Sequence, residues 1–288
     1  MQDGKQFSFH SEMLLADDLA VVGTDVSTGH VYAFDVDSGT ARWKLPEGAG
    51  VYADICGDRE RAFAVTLEDT VVCFETRTGK VLWTYSQSGS LGEPRNERSP
   101  ALSDSLLLYV DLRGNLVALR AATGELAWQL ALDTPILTSV SVSNGSAYVG
   151  TEDGRVHRIH AALGIVLAEL DIRGPSAGFV CGEKAILTLV RTESSGGRVK
   201  ALAKDLGEVL WERDPPPEDS WTTFRPAFWR GWAVAGTAKG GIWAFDLEHG
   251  SPAWTLELDG VVKSLGTSGD ELYAGTQDGL LHVYRSAR

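Results

Sequence analysis

The sequence predicts an all-β protein, a seven-bladed β-propeller built from four-stranded antiparallel blades. Three observations carry this expectation. An eleven-residue module occurs six times, a Gly holds the same place in every copy, and short apolar strands recur at a period near forty residues. Self-similarity at such a period is the mark of a repeat architecture, and several short strands per unit point to a propeller.

The module runs from Ala33 to Trp43, Cys73 to Trp83, Ala118 to Trp128, Arg158 to Ala168, Ala201 to Trp211 and Ala244 to Trp254. Gly falls six residues after the first position in all six, and Trp closes five of them. Leading into each module is an alternating stretch such as Val31-Tyr-Ala-Phe34 or Ile242-Trp-Ala-Phe245, the period of a strand with one buried face. The Gly supplies the positive φ of a tight hairpin. Asp35, Glu75 and Asp246 are placed to accept hydrogen bonds from turn amides. The chain returns as an outer strand ending on the indole. Folded against the next unit, Trp43, Trp83, Trp128, Trp211 and Trp254 are expected to act as structural latches.

The third strands begin at 31, 71, 116, 156, 199, 242 and 281, so seven units fill the chain as one domain, 1–288. Two apolar stretches precede each third strand, as in Ile136 to Val142 and Ala147 to Gly150. The seventh unit has no fourth strand after Tyr284. Residues 4–10 align with Gly79 to Tyr85 and are expected to supply it, closing the last blade. Ser8 and Ala168 stand where a latch Trp belongs, which predicts that their blades are the loosest.

The module resembles the tryptophan-docking repeat of the pyrroloquinoline-quinone (PQQ) propeller superfamily, Ala-x-Asp-x-x-Thr-Gly-x-x-x-Trp. Ala118 to Trp128 comes close, departing with Arg120 at the Asp position. The resemblance spans nearly the whole chain and implies the fold. It implies function only broadly, because such blades build quinone-dependent dehydrogenases and also cofactor-free scaffolds, including the propeller lipoprotein of the outer-membrane protein assembly machine.

Net charge is −13 and the pI near 4.9, a balance that disfavours nucleic acid and anionic lipid. No apolar run is long enough to span a bilayer, so no direct membrane insertion is expected. Cys56, Cys73 and Cys181 are widely spaced and suggest neither zinc nor a disulfide framework. The N-terminus lacks a secretory core or lipidation Cys. A cytoplasmic location is expected for the chain as given, and a periplasmic or exported one if a signal segment was removed.

Loop carboxylates recur about once per unit: Asp25, Glu68-Asp69, Asp111, Glu152-Asp153, Glu193 and Asp278. They read either as a cation- or Lys/Arg-binding rim or as turn formers. The histidines show no ligand spacing, so no metal site is expected. Two long loops stand out, Ser86 to Ser99 and Arg213 to Trp221. Arg and Trp often anchor interfaces, and loops on rigid scaffolds carry function. Arg95, Arg98, Trp221, Phe224 and Arg225 form the candidate partner-binding patch, with Phe228, Trp229 and Trp232 assigned to the blade core.

The functional expectation is a non-catalytic scaffold binding a protein partner through its top-face loops, a monomeric propeller within a complex, with no cofactor. The alternatives are a PQQ-dependent dehydrogenase using calcium, or a carbohydrate- or small-ligand-binding propeller. Family dehydrogenases carry adjacent cysteines and a longer chain, and this sequence has neither.

Overall fold

The computed structural model describes residues 13–25, 29–46, 50–87, 96–191, 196–222 and 225–285. Among them there is no helix, and the strands fall into seven sheets that follow the chain in order. The first holds β1 (Leu14–Ala16), β2 (Leu19–Gly23), β3 (Val31–Asp35) and β4 (Ala41–Lys44). The second holds β5 (Cys56–Gly57), β6 (Arg61–Val65), β7 (Thr70–Glu75) and β8 (Val81–Ser86). The third holds β9 (Ala101–Ser103), β10 (Leu106–Val110), β11 (Leu116–Arg120) and β12 (Leu126–Leu130). The fourth holds β13 (Ser141–Ser143), β14 (Ser146–Gly150), β15 (Arg155–His160) and β16 (Ile165–Asp171). The fifth holds β17 (Ser176–Cys181), β18 (Ala185–Val190), β19 (Arg198–Ala203) and β20 (Val209–Arg213). The sixth holds β21 (Ala227–Trp229), β22 (Trp232–Gly236), β23 (Gly241–Asp246) and β24 (Pro252–Glu257). The seventh holds β25 (Val262–Ser268), β26 (Glu271–Thr276) and β27 (Leu281–Arg285).

Strand order within each sheet is sequential, a meander. The seventh sheet has three strands among the described residues; its expected fourth, residues 4–10, lies outside them. By contact density the chain divides into two compact units, 1–145 with 160–165, and 146–159 with 166–288.

Apolar core forms between successive sheets rather than within one. In the first unit Val21, Val31 and Ala33 of the first sheet pack on Ala62, Ala64 and Phe74 of the second, while Phe63 and Val71 pack on Leu107 and Tyr109 of the third. In the second unit Tyr148 and Val156 meet Phe179 and Ile186, and Leu187 and Ala201 meet Ala233 and Phe245. Second strands are therefore covered on both faces. That is why β10 (Leu-Leu-Leu-Tyr-Val) and β18 (Ala-Ile-Leu-Thr-Leu-Val) read as continuous apolar runs and are buried throughout. Outer strands such as β8 half-bury only alternate residues and leave the rest exposed.

The first position of the module pairs across the sheet with its Trp: Ala33 with Trp43, Cys73 with Trp83, Ala118 with Trp128, Ala201 with Trp211, Ala244 with Trp254. Directly opposed Cβ atoms lie about 5 Å apart, so a small residue there leaves room for the indole. Immediately after this pair the register shifts in all five sheets, a repeated bulge that leads into the Gly turn.

Four of the five indoles settle on the Gly of the next module. A Cβ built on Gly124, at φ +75°, would stand 2.6 Å from the Trp83 ring; Gly79, Gly164 and Gly250 receive Trp43, Trp128 and Trp211 in the same way. The indole N–H donates to the carbonyl three residues before that Gly: Trp43 to Thr76, Trp83 to Ala121, Trp128 to Ala161 and Trp211 to Leu247, at 3.1–3.2 Å. Over Gly39 nothing among the described residues lies within 4 Å of such a Cβ. Trp254 instead meets Trp229 edge to face, 5.6 Å between centroids.

The fifth module lacks an incoming indole because Ala168 replaces it, and the space is filled from two other places. Tyr148, buried in β14, donates its hydroxyl at 2.8 Å to the carbonyl of Lys204, again three residues before the module Gly, Gly207. Leu206 takes the positive φ (+63°) that Gly carries elsewhere and turns inward, 3% exposed, whereas the aligned Leu163 is 59% exposed. The looseness expected from Ala168 is thus offset by a phenol and an aliphatic chain. Tyr148→Phe is expected to lower unfolding stability by about 1 kcal/mol with an unchanged denaturant slope, the loss of one buried hydrogen bond.

Candidate functional site

The loops between second and third strands are held by one recurrent device. Thr66, Thr151, Thr237 and Thr276, with Asp111 in the third sheet, are buried and stand five residues ahead of the third-strand positions 71, 156, 242, 281 and 116. Their side chains bond main-chain groups four residues on: Thr66 Oγ1 accepts from Thr70 N, Thr237 Oγ1 from Gly241 N, Asp111 Oδ1 from Asn115 N, and Thr151 Oγ1 donates to Arg155 O. Asp153 and Asp278 accept the hydroxyls of Thr151 and Thr276, which holds both carboxyls below their ordinary range. Asp111, Asp153 and Asp278 are therefore turn formers, as Asp35 and Asp246 are beside the module Gly, whereas Asp69 bonds to a distant loop and Glu193 lies outside the described residues. Asp35 accepts from Ser38 and Arg42 and is held well below the usual carboxylate range. No group of three or more His, Cys, Asp or Glu among the described residues could hold a metal ion.

In the first unit the end of the long loop, Asn96–Ser99, is stitched into its surroundings. Asn96 is fully buried; its Nδ2 donates to Asp69 Oδ1 (2.6 Å) and Val110 O (2.9 Å), and its Oδ1 accepts from Arg98 N (3.1 Å). Asp69 Oδ2 accepts from Leu112 N at 3.1 Å, and burial raises its carboxyl above the ordinary value. Ser99 donates to Asp54 Oδ2 and takes the Ser139 hydroxyl oxygen on its amide, both at 2.8 Å. Arg98 is half-buried: Nη1 donates to Asp111 O (3.3 Å) and Nε to Leu137 O (3.4 Å), and burial lowers its pKa. Nη2 of Arg98 has no partner among the described residues. Leu137 beside it is 42% exposed. The arrangement presents a rigidly held guanidinium edge next to an aliphatic side chain, chemistry suited to a carboxylate on a partner.

Of the five predicted patch residues, Arg95 and Phe224 lie outside the described residues. Trp221 is a correction: it is 5% exposed and belongs to the core between the fifth and sixth sheets. Its ring meets Phe245 edge to face, its N–H donates to Arg213 O across the base of the loop, and it bridges Thr237. A ring that closes the loop from within cannot face a partner. Arg225 is half-buried alongside Gly178, whose added Cβ would lie 3.7 Å from Arg225 Nε. Sequence reasoning missed Asn96, Tyr148 and the Thr position; the fixed five-residue offset of Thr from the third strand was the readable signal.

All three thiols are free. Cys56 and Cys73 both pair with Phe63, from either side, which places them two strands apart, about 10 Å and too far to bridge. Burial pushes Cys56 up to about 12 and Cys73 and Cys181 up to about 11. Since the thiolate is the nucleophile, the native protein is expected to react negligibly with Ellman's reagent at pH 8, and to react fully once unfolded.

The repeated blades and their indole latches define the class: a β-propeller of the PQQ-like repeat type. The family profile described as outer membrane protein assembly factor BamB matches residues 27–99 and 68–287, and the chain belongs to that family. Curated relatives include the Yersinia pestis outer membrane protein assembly factor BamB, 24% identical, covering 78% of this chain and 62% of its own length. The Escherichia coli K12 protein of that name is 27% identical over 70% of this chain and 66% of its own. The chain thus spans about three fifths to two thirds of the length of these relatives. The crystal structure of BamB from Moraxella catarrhalis superposes with a TM-score of 0.78 at 21% identity, covering 96% of this chain and 85% of that one. A computationally designed protein, Ika8, gives 0.66 at 16% identity over 99% and 98%. The role printed in these relatives' names is outer membrane protein assembly.

Proposed function

We propose that this chain is a non-catalytic scaffold for outer-membrane protein assembly, working in the periplasm without a cofactor and binding a protein partner through loops carried by rigid blades. The family match across most of the chain carries this reading. The loop stitching supports it. Arg98 and Leu137 form a preorganised contact in the first unit, and Arg225 a second candidate in the other. The dehydrogenase alternative gains no support, because Asp111, Asp153 and Asp278 are engaged in their own turns.

Complementation tests the proposal. A strain lacking the gene is expected to show reduced β-barrel proteins in its outer membrane, restored by the wild type and only partly by Arg98→Ala with Arg225→Ala. Unchanged outer-membrane protein levels in the deletion strain would overturn the assignment. Full rescue by the double variant would remove the two arginines from it.

A further inference from the structure

The hairpin closing the fourth blade differs from its counterparts. Around the module Gly the others read Ser38-Gly-Thr40, Thr78-Gly-Lys80, Thr123-Gly-Glu125, Leu206-Gly-Glu208 and His249-Gly-Ser251; the fourth reads Leu163-Gly-Ile165. Leu163 and Ile165 are 59% and 55% exposed, and Val166 and Leu167 continue at 39% and 47%. No Asp, Glu, Lys or Arg occurs from Ile159 to Ala168. These aliphatics lead along β16, the last strand of its sheet, so one row of its main-chain N–H and C=O groups has no strand beside it among the described residues. Sheet edges are normally protected by charge, Pro or a bulge. The first half of β16 has no charge and no Pro. Its second half carries Glu169, paired with Arg155 at 2.6 Å, and exposed Asp171, whose carboxylate accepts Arg173 N and has no cationic partner among the described residues.

We propose that β16 is a docking edge for an extended segment of another protein, aliphatic opposite Ile165 to Leu167 and basic opposite Asp171. Two physical points select this occupant. A lipid surface would accept Leu163 and Ile165, but would leave the edge's main-chain groups unpaired in hydrocarbon, which is costly. A second copy of the strand fails in either direction. Antiparallel pairing sets Glu169 and Asp171 against Ile165 and Leu167, and parallel pairing sets each carboxylate against its own copy. A foreign strand with Lys or Arg at one end avoids both conflicts, its main chain supplying affinity and its alternate side chains specificity.

The inference rests on the reading that protein segments are ligands of this chain, and its test is independent of Arg98. The probe is the synthetic peptide acetyl-Lys-Thr-Val-Thr-Val-Thr-Val-amide, with an analogue bearing Glu in place of Lys. Binding is read by fluorescence anisotropy and by amide exchange. Exchange is expected to slow from Ile165 to Asp171, with the Glu analogue about fivefold weaker, the upper range for one cross-strand charge pair. Ile165→Lys is expected to weaken binding about tenfold. Exposure of Ile165 keeps that variant folded, checked by an unchanged thermal midpoint. Equal affinity of the variant and the wild type, protection elsewhere, dimerisation seen by light scattering, or binding to phosphatidylcholine vesicles in place of the peptide would each overturn the proposal. A failed peptide test beside a defective Arg98 variant removes this edge alone and leaves the scaffold reading standing.

Discussion

Trp83→Ala is expected to lower unfolding stability by about 3–5 kcal/mol, the range for truncating a buried aromatic ring, with the half-exposed edge of the indole favouring the lower end. The ring lies on Gly124, its N–H reaches Ala121 O, and its face meets Phe63 at 5.8 Å. The receiving side offers a matched comparison. Gly124→Ala places a Cβ 2.6 Å from the Trp83 ring, whereas Gly39→Ala meets nothing within 4 Å among the described residues. Both sites have left-handed φ, +75° and +66°, so both carry the backbone penalty of about 1–2 kcal/mol. Only Gly124→Ala also displaces an indole. Urea unfolding of the three variants measures the difference, and equal losses at Gly39 and Gly124 would mean that the indoles do not latch the blades.

Asn96→Ala has the second large expected effect, about 2–4 kcal/mol, because it strips partners from a buried carboxylate and a buried carbonyl at once. Asp69 loses the Nδ2 donor that opposes its upward shift, and Val110 O loses its side-chain partner. The pH dependence has a definite sign. Asp69 already has a folded pKa above its ordinary value, so its ionisation costs stability as pH rises through that folded pKa. Without Asn96 the folded pKa rises further. The variant's deficit is therefore expected to be larger at neutral pH than in mild acid. A pH-independent deficit would show that the Asn96–Asp69 bond does not set the loop. The same substitution also removes the acceptor for Arg98 N, and should weaken partner binding by the loop together with stability.

Much of the fold was legible because the repeat imposes it. Gly at a fixed offset, a small residue opposite the indole and a continuous apolar run for each second strand are local demands, repeated until they could be counted. The candidate site was less legible. Arg98 remains a proposed contact, and Trp221, expected in the patch, is buried in the core. An indole in a long polar loop looks the same in sequence whether it caps the loop from outside or plugs it from within, and only the Arg213 carbonyl and Phe245 ring decide it. Asn96 carried no visible signal, since a lone amide in a charged loop acquires meaning only when Asp69 and Val110 arrive from other strands.

By itself the sequence determined the number of blades, the place of each hairpin and the identity of four latching indoles, Trp43, Trp83, Trp128 and Trp211, because each follows from chemistry within some eleven residues. The tertiary structure alone decided how the gap left by Ala168 is filled. Tyr148 and Leu206 lie twenty and thirty-eight residues from it, and no local rule assigns a phenol to a carbonyl in the next sheet. It also decided that Asp153 and Asp278 spend their oxygens on the hydroxyls of Thr151 and Thr276 in their own turns. Periodicity is a property of the chain, whereas occupancy of a shared space is fixed only when distant strands compete for it.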